Sequence, residues 1–176
     1  MAELTPQSAL RPGGRILGID PGLQITGYAV VEAGPRAPLV CEAGVIRSTD
    51  HRSSADLAQR VRSVYTGIVE VVEQFRPRAV VVEELYAHYQ HPRTAILMAH
   101  ARGVIFLAAA EKELPVISYS ATSIKKTITG HGRASKGQMQ ATMLRELGLA
   151  KLPEPPDVAD ALAAALCHYY VGNRPV

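Results

Sequence analysis

Asp20 closes the first strongly apolar run of the sequence, Ile16-Leu17-Gly18-Ile19, and is followed at once by Pro21-Gly22. Glu83 and Glu84 close a second run, Val80-Val81-Val82. Asp157 and Asp160 stand three apart in PPDVAD, on one face of a helix that starts there. Carboxylates brought together repel, and several take up protons unless a cation offsets them. Their hard oxygens suit Mg²⁺ or Mn²⁺. Two such ions about 4 Å apart can activate a water and stabilise the leaving oxygen in phosphodiester hydrolysis. That chemistry needs no catalytic histidine, nucleophilic serine or glycine-rich phosphate loop, and the sequence shows none.

Each acid also has a plainer reading. Aspartate before Pro-Gly is a common turn residue. Asp157 can cap a helix while Asp160 favours its positive end. An acidic pair directly after three valines is harder to place, because adjacent strand residues face opposite ways and one charge lies near a buried strand end. The three features together point to a two-metal nuclease or phosphoryl-transfer site.

The elements that must position these acids can be read from periodicity and turn residues. Three strands are expected at Arg15 to Asp20, Ile25 to Glu32 and Leu39 to Ile46, joined by the short linkers DPGL and AGPRAP as an antiparallel meander. A helix capped by Ser53 or Ser54 should run to about Gln74, with Leu57, Val61, Val64, Ile68, Val71 and Val72 on one face. PRAVVVEEL, residues 77 to 85, reads as a central strand covered on both faces. The helix expected from Thr94 to Lys112 is apolar nearly all round. It is either wholly buried within the monomer or meets a second copy of the chain with one face. LPVISYS supplies a fifth strand, followed by a basic segment around Gly130-His131-Gly132, a helix near Ser135 to Leu147, and a last helix from Asp157 to about Tyr170. The fold class is α/β, with a mixed five-stranded sheet flanked by helices. Residues 1–14 read as a flexible N-terminal arm, 15–171 as one domain and 172–176 as a short tail. Ligands of open α/β sheets gather beyond strand ends, so the acids converge if the first and fourth strands are neighbours.

Composition narrows the partners. The net charge is +3, yet no acidic residue occurs between Glu113 and Glu146, where Lys125, Lys126, Arg133, Lys136 and Arg145 all lie. Such a stretch suits a polyanion such as nucleic acid, or forms a solvated helix and loop face. The two cysteines, Cys41 and Cys167, form no zinc-binding or disulfide pattern. No secretory signal is apparent, no apolar run approaches the roughly 20 residues of a bilayer span, and a reducing cytoplasm is the expected compartment.

LGIDPGLQITGYAVVE, VVVEELYAHYQHPRTA, ARGV and PPDVADALAAALCHYY, in this order from about Ile16 to Tyr169, closely resemble the signature segments of the RuvC family of bacterial Holliday junction resolvases. The resemblance implies an RNase H-like fold, a homodimer, and paired symmetric Mg²⁺-dependent nicks in a four-way DNA junction during recombination and repair. It implies that Asp20, Glu83, Asp157 and Asp160 bind two Mg²⁺ ions, with Mn²⁺ able to substitute, and that Lys125 and Lys136 act beside them. Some family members carry histidine where this chain has Asp157. Tyr86 matches an aromatic residue that stacks on an unpaired base, and Glu84 is read as outward-facing or supporting. Lys126 and Arg133 are expected to touch DNA with Lys125 and Lys136. The RuvA and RuvB branch-migration proteins are expected partners, and a membrane is not.

Two other classes fit less well. A DNA-binding module without catalysis would keep the lysines and lose an acid, whereas all four stand here. An actin-like ATPase needs two such domains, which 176 residues do not hold.

Overall fold

In the computed structural model, residues 13–48, 56–85 and 92–172 are described. They form β1 (Arg15–Asp20), β2 (Ile25–Ala33), β3 (Pro38–Arg47), α1 (Leu57–Phe75), β4 (Ala79–Glu83), α2 (Pro92–Glu111), β5 (Val116–Tyr119), α3 (Ala121–Thr129), α4 (Lys136–Glu146) and α5 (Pro156–Gly172). The sheet order is β3-β2-β1-β4-β5. The first three strands are antiparallel neighbours; β1–β4 and β4–β5 are parallel. The mixed five-stranded sheet expected from the sequence is therefore present, with β1 and β4 side by side at its centre.

Burial explains why these two strands read as unbroken apolar runs. Ile16, Leu17, Ile19 and Val80 to Val82 are fully buried, because both faces of the sheet are covered. Helices α1 and α2 pack on one face, around Leu17, Ile19, Ile68, Val80, Val82 and Ile105. On the other face α5 lies against β1 and β2, with α3 and α4 behind it. α5 can approach so closely because its sheet-facing residues are mostly alanines and the strands beneath carry Gly18 and Gly27. A Cβ on Gly18 would stand 2.7 Å from the Ala165 nitrogen and 2.8 Å from the Ala165 Cβ.

Several boundaries differ from expectation. α1 begins at Leu57, and its cap is Asp56, whose side chain accepts a hydrogen bond from the Gln59 amide at 2.8 Å; Ser53 and Ser54 lie outside the described residues. The stretch read as a basic segment around Gly130-His131-Gly132 contains α3, capped by Ser120 and ended by Gly130 at φ +80°. Asp157 is not a cap: α5 starts at Pro156, and Asp157 sits inside its first turn. Proline suits that first position because its missing amide would be unpaired anyway. At the start of the chain, Gly13 and Gly14 exchange backbone hydrogen bonds with Ala33.

α2 differs in two respects. Its stretch Arg93–Glu111 is long and apolar enough, by length and composition, to cross a membrane, which the sequence was not expected to contain. It is also not wholly buried. Ala101, Ile105, Ala108 and Ala109 face the sheet and α1, while Ile96 is 58% exposed and Leu107 50% exposed. Leu97 and Phe106 are partly exposed as well.

Candidate active site

The parallel register of β1 and β4 pairs Ile19 with Val82, so Asp20 and Glu83 are the next residues on adjacent strands. The loop after Asp20 is held tightly. Gly22 has no room for a Cβ beside the Ile25 carbonyl, and the buried Thr26 hydroxyl donates to the Gly22 carbonyl at 2.6 Å. Pro21-Gly22 thus ends β1 at the acid and bends the chain away from it.

α5 brings the other two acids. Asp157 and Asp160 lie in its first turns, on the end of the helix that overlies β1 and β2. Asp20, Glu83, Asp157 and Asp160 line one cleft of about 650 Å³, together with Lys125 from α3 and Lys136 from α4. Among the described residues, no hydrogen bond or ion pair engages the four carboxylate groups. Nor do any three His, Cys, Asp or Glu side chains there already form a closed metal-ligating cluster. The acids share a cleft and a field with no hydrogen bond between them among the described residues.

That field is strong. Burial, then the charges of Asp160, Glu83 and Asp157, push Asp20 up to about 8, with Lys136 acting the other way. Burial and Asp160 raise Glu83, against Lys125 and Lys136. Burial also raises Asp160, joined by Asp157 and opposed by the same two lysines. Acids that are desolvated, mutually repelling and short of donors constitute a site completed by a hard cation. The donor set therefore fits Mg²⁺.

The other sequence-based choices separate. Lys125 is half-buried at the cleft, whereas Lys126 is exposed and does not line it. Lys136 is the first residue of α4, held by a capping box in which Ser135 Oγ accepts from the Gln138 amide and Gln138 Oε1 accepts from the Ser135 amide. Arg133 lines a different depression, with His131 and Arg145. Glu84 is exposed, and its amide donates to the Tyr119 carbonyl. Tyr86 lies outside the described residues.

Two further side chains tie the elements of the site together. Arg102, in ARGV, donates from Nη1 to the Glu83 carbonyl and from Nη2 to Ser118 Oγ at 2.8 Å, with its guanidinium over the Phe106 ring. It ties α2 to the ends of β4 and β5 directly behind the acid. His168, fully buried on α5, shares a 2.9 Å hydrogen bond through Nδ1 with the Tyr119 hydroxyl. It packs as a polar core residue linking α5 to β5. The ARGV motif was a signal for the first; nothing in the local sequence marks the second.

Strand order and the helix laid across β1 and β2 define an RNase H-like protein. The family model for the crossover junction endodeoxyribonuclease RuvC matches residues 16–168. A RuvC from Rhodopirellula baltica is 50% identical over 94% of this chain and 93% of its own length. One from Pelotomaculum thermopropionicum is 44% identical over 90% and 96%. A solved structure of T. thermophilus RuvC in complex with Holliday junction substrate superposes with a TM-score of 0.80 at 33% identity, covering 90% of this chain and 95% of that one. The chain belongs to the RuvC family.

Proposed function

We propose that the chain is an endonuclease that resolves four-way DNA junctions by paired, symmetric phosphodiester hydrolysis. The observation that carries this reading is the convergence of four acids from β1, β4 and α5 in one cleft, faced by Lys125 and Lys136. A relative of the same family has been solved on a Holliday junction substrate. The family's activity is that of an endodeoxyribonuclease.

Asp20, Glu83, Asp157 and Asp160 would hold two Mg²⁺ ions, with Mn²⁺ able to replace them. Bound there, the ions supply Lewis acidity that activates water and stabilises the leaving oxygen. The chain's own part is positional and electrostatic. β1 and β4 fix two ligands on a rigid sheet, and α5 fixes two more. Asp20 gives up its proton when the cation arrives, since its raised pKa keeps it largely protonated near pH 7 without one. Lys125 and Lys136 offset the charge that builds on the phosphate during displacement. Tyr86 stacks on a base at the crossover, a contact that tolerates any base. Lys126 and Arg133, outside the cleft, contact flanking backbone.

The exposed Ile96, Leu97, Phe106 and Leu107 of α2 form the face through which two copies pair. A two-fold dimer presents two equivalent sites to a nearly two-fold junction, which accounts for symmetric cutting. Residues 15–171 are the catalytic unit, working in the cytoplasm with RuvA and RuvB. The test is an end-labelled synthetic four-way junction beside a linear duplex of the same sequence, with Mg²⁺. Nicks at symmetry-related positions of the junction alone are the expected result. Equal cutting of the duplex would assign a different nuclease specificity, and tight binding without cutting would assign a recognition module.

A further inference from the structure

The cleft is lined by one cation from the opposite face of the sheet that none of the preceding roles uses. Arg60 lies in the second turn of α1 and shares the cleft wall with Gln24 and Thr94, while Lys125 and Lys136 come from α3 and α4 across the sheet. Its Nε is buried and, among the described residues, has no hydrogen-bond partner. Among the described residues its guanidinium forms no ion pair, although four carboxylates line the same cleft. Nor does it figure among the charges acting on Asp20, Glu83 or Asp160, where the two lysines do. An arginine short of an acceptor carries a desolvation cost that an anion removes. Five donors in a planar fork suit a phosphate.

We propose that Arg60 is a DNA backbone contact, gripping a phosphate away from the scissile one from the α1 side of the cleft, so that the strand is held from both faces of the sheet. Unlike Lys125 and Lys136 it does not figure in the charges on the acids: it holds DNA and takes no part in the charge balance of the reaction. The inference rests on the junction-binding reading above and adds a residue and a second wall to it. Arg62, two positions on, is exposed and lines a different surface with Tyr28 and Thr66, so it serves as the control.

The experiment measures junction affinity against salt concentration in Ca²⁺, which occupies oxygen sites without supporting rapid cleavage. For Arg60→Gln the slope of log K against log salt should fall in magnitude by about 0.7–0.9, one phosphate contact. Affinity should weaken about tenfold, with kcat at saturating junction close to wild type. Arg60→Lys should restore the slope but only part of the affinity, because the fork is lost. Arg62→Gln should match wild type in both. Parallel salt plots for wild type and Arg60→Gln would overturn the proposal. Should Arg60→Gln lower the melting temperature, the wild-type protein gives the answer: arginine-directed dicarbonyl labelling, read by mass spectrometry, must show Arg60 protected by bound junction. Equal labelling with and without DNA would overturn it. A wild type that binds no DNA at all would instead remove the function on which it rests.

Discussion

Gly27 and Asp157 meet backbone to backbone: a Cβ on Gly27 would overlap the Asp157 carbonyl and come within 3.1 Å of the Asp157 Cβ. The absence of one methyl group on β2 therefore sets how close the acidic end of α5 lies to Asp20. Gly27→Ala should shift the start of α5 outward while leaving all four carboxylates in the chain. Overpacking of this kind costs about 1–3 kcal/mol. The Mg²⁺-induced rise in melting temperature should shrink, and junction cleavage should fall at least tenfold. Wild-type cleavage by a folded Gly27→Ala protein would show that the approach is not needed.

The protonation of Asp20 makes stability depend on pH in a definite sense. Its folded pKa of about 8 lies above the ordinary 3.8, so the folded protein holds a proton that the unfolded chain releases. Stability of the metal-free protein therefore falls as pH rises between those values, and the penalty is absent below the lower one. Glu83 and Asp160, shifted upward too, act in the same direction. Thermal melts across this range should show Asp20→Asn more stable than wild type by about 5 °C at pH 8, with the gap closing towards pH 4. A constant gap would contradict the charge repulsion inferred for the cleft.

Saturating the metal-free protein with Mg²⁺ at pH 7 should release close to one proton from Asp20. Calorimetric titrations in buffers of different ionisation enthalpy measure this directly. An enthalpy independent of buffer would mean that Asp20 is already ionised.

Much of this site was legible in the chain because its positions coincide with breaks in pattern. Asp20 and Glu83 stand where apolar runs stop, and runs buried on both faces mark central strands. Asp157 and Asp160 are separated by one helical step. What could not be read depends on distant partners. α3 was missed because its nine residues carry a single buried side chain, Ile124, too little for a periodic signal. The plainer reading of Asp157 as the cap of α5 does not hold, because Pro156 takes the first helical position and Asp157 lies within the first turn. The resemblance set Lys125 beside the acids and gave Lys126 only a DNA contact, and of the two only Lys125 lines the cleft. The Tyr119–His168 bond joins residues 49 apart, and no local pattern encodes it.

Arg102 supports Glu83 through its main chain, not its carboxylate. Arg102→Met keeps an unbranched side chain and removes both hydrogen bonds together with the guanidinium's contact with Phe106. It should lower kcat on the junction about tenfold with little change in junction affinity, because the acid loses its fixed position while the DNA-facing cations remain. A matching loss in affinity would move Arg102 to the DNA interface.

The exposed face of α2 predicts its own defect. Ile96→Asp or Leu107→Glu should convert the protein from dimer to monomer in sedimentation experiments without lowering the monomer's folded helix content. Nicks should then appear singly, with the two cuts on a junction no longer coincident. A dimer that survives both substitutions would place the interface elsewhere.

The central claim is that the four acids act as one metal site and not as part of the DNA grip. Asp20→Asn, with one oxygen changed to nitrogen, tests it on a labelled four-way junction with Mg²⁺. Cleavage should drop by at least a thousandfold, while junction affinity measured in Ca²⁺ stays within a few-fold of wild type. Cleavage persisting at the wild-type rate, or binding lost together with cleavage, would contradict the account.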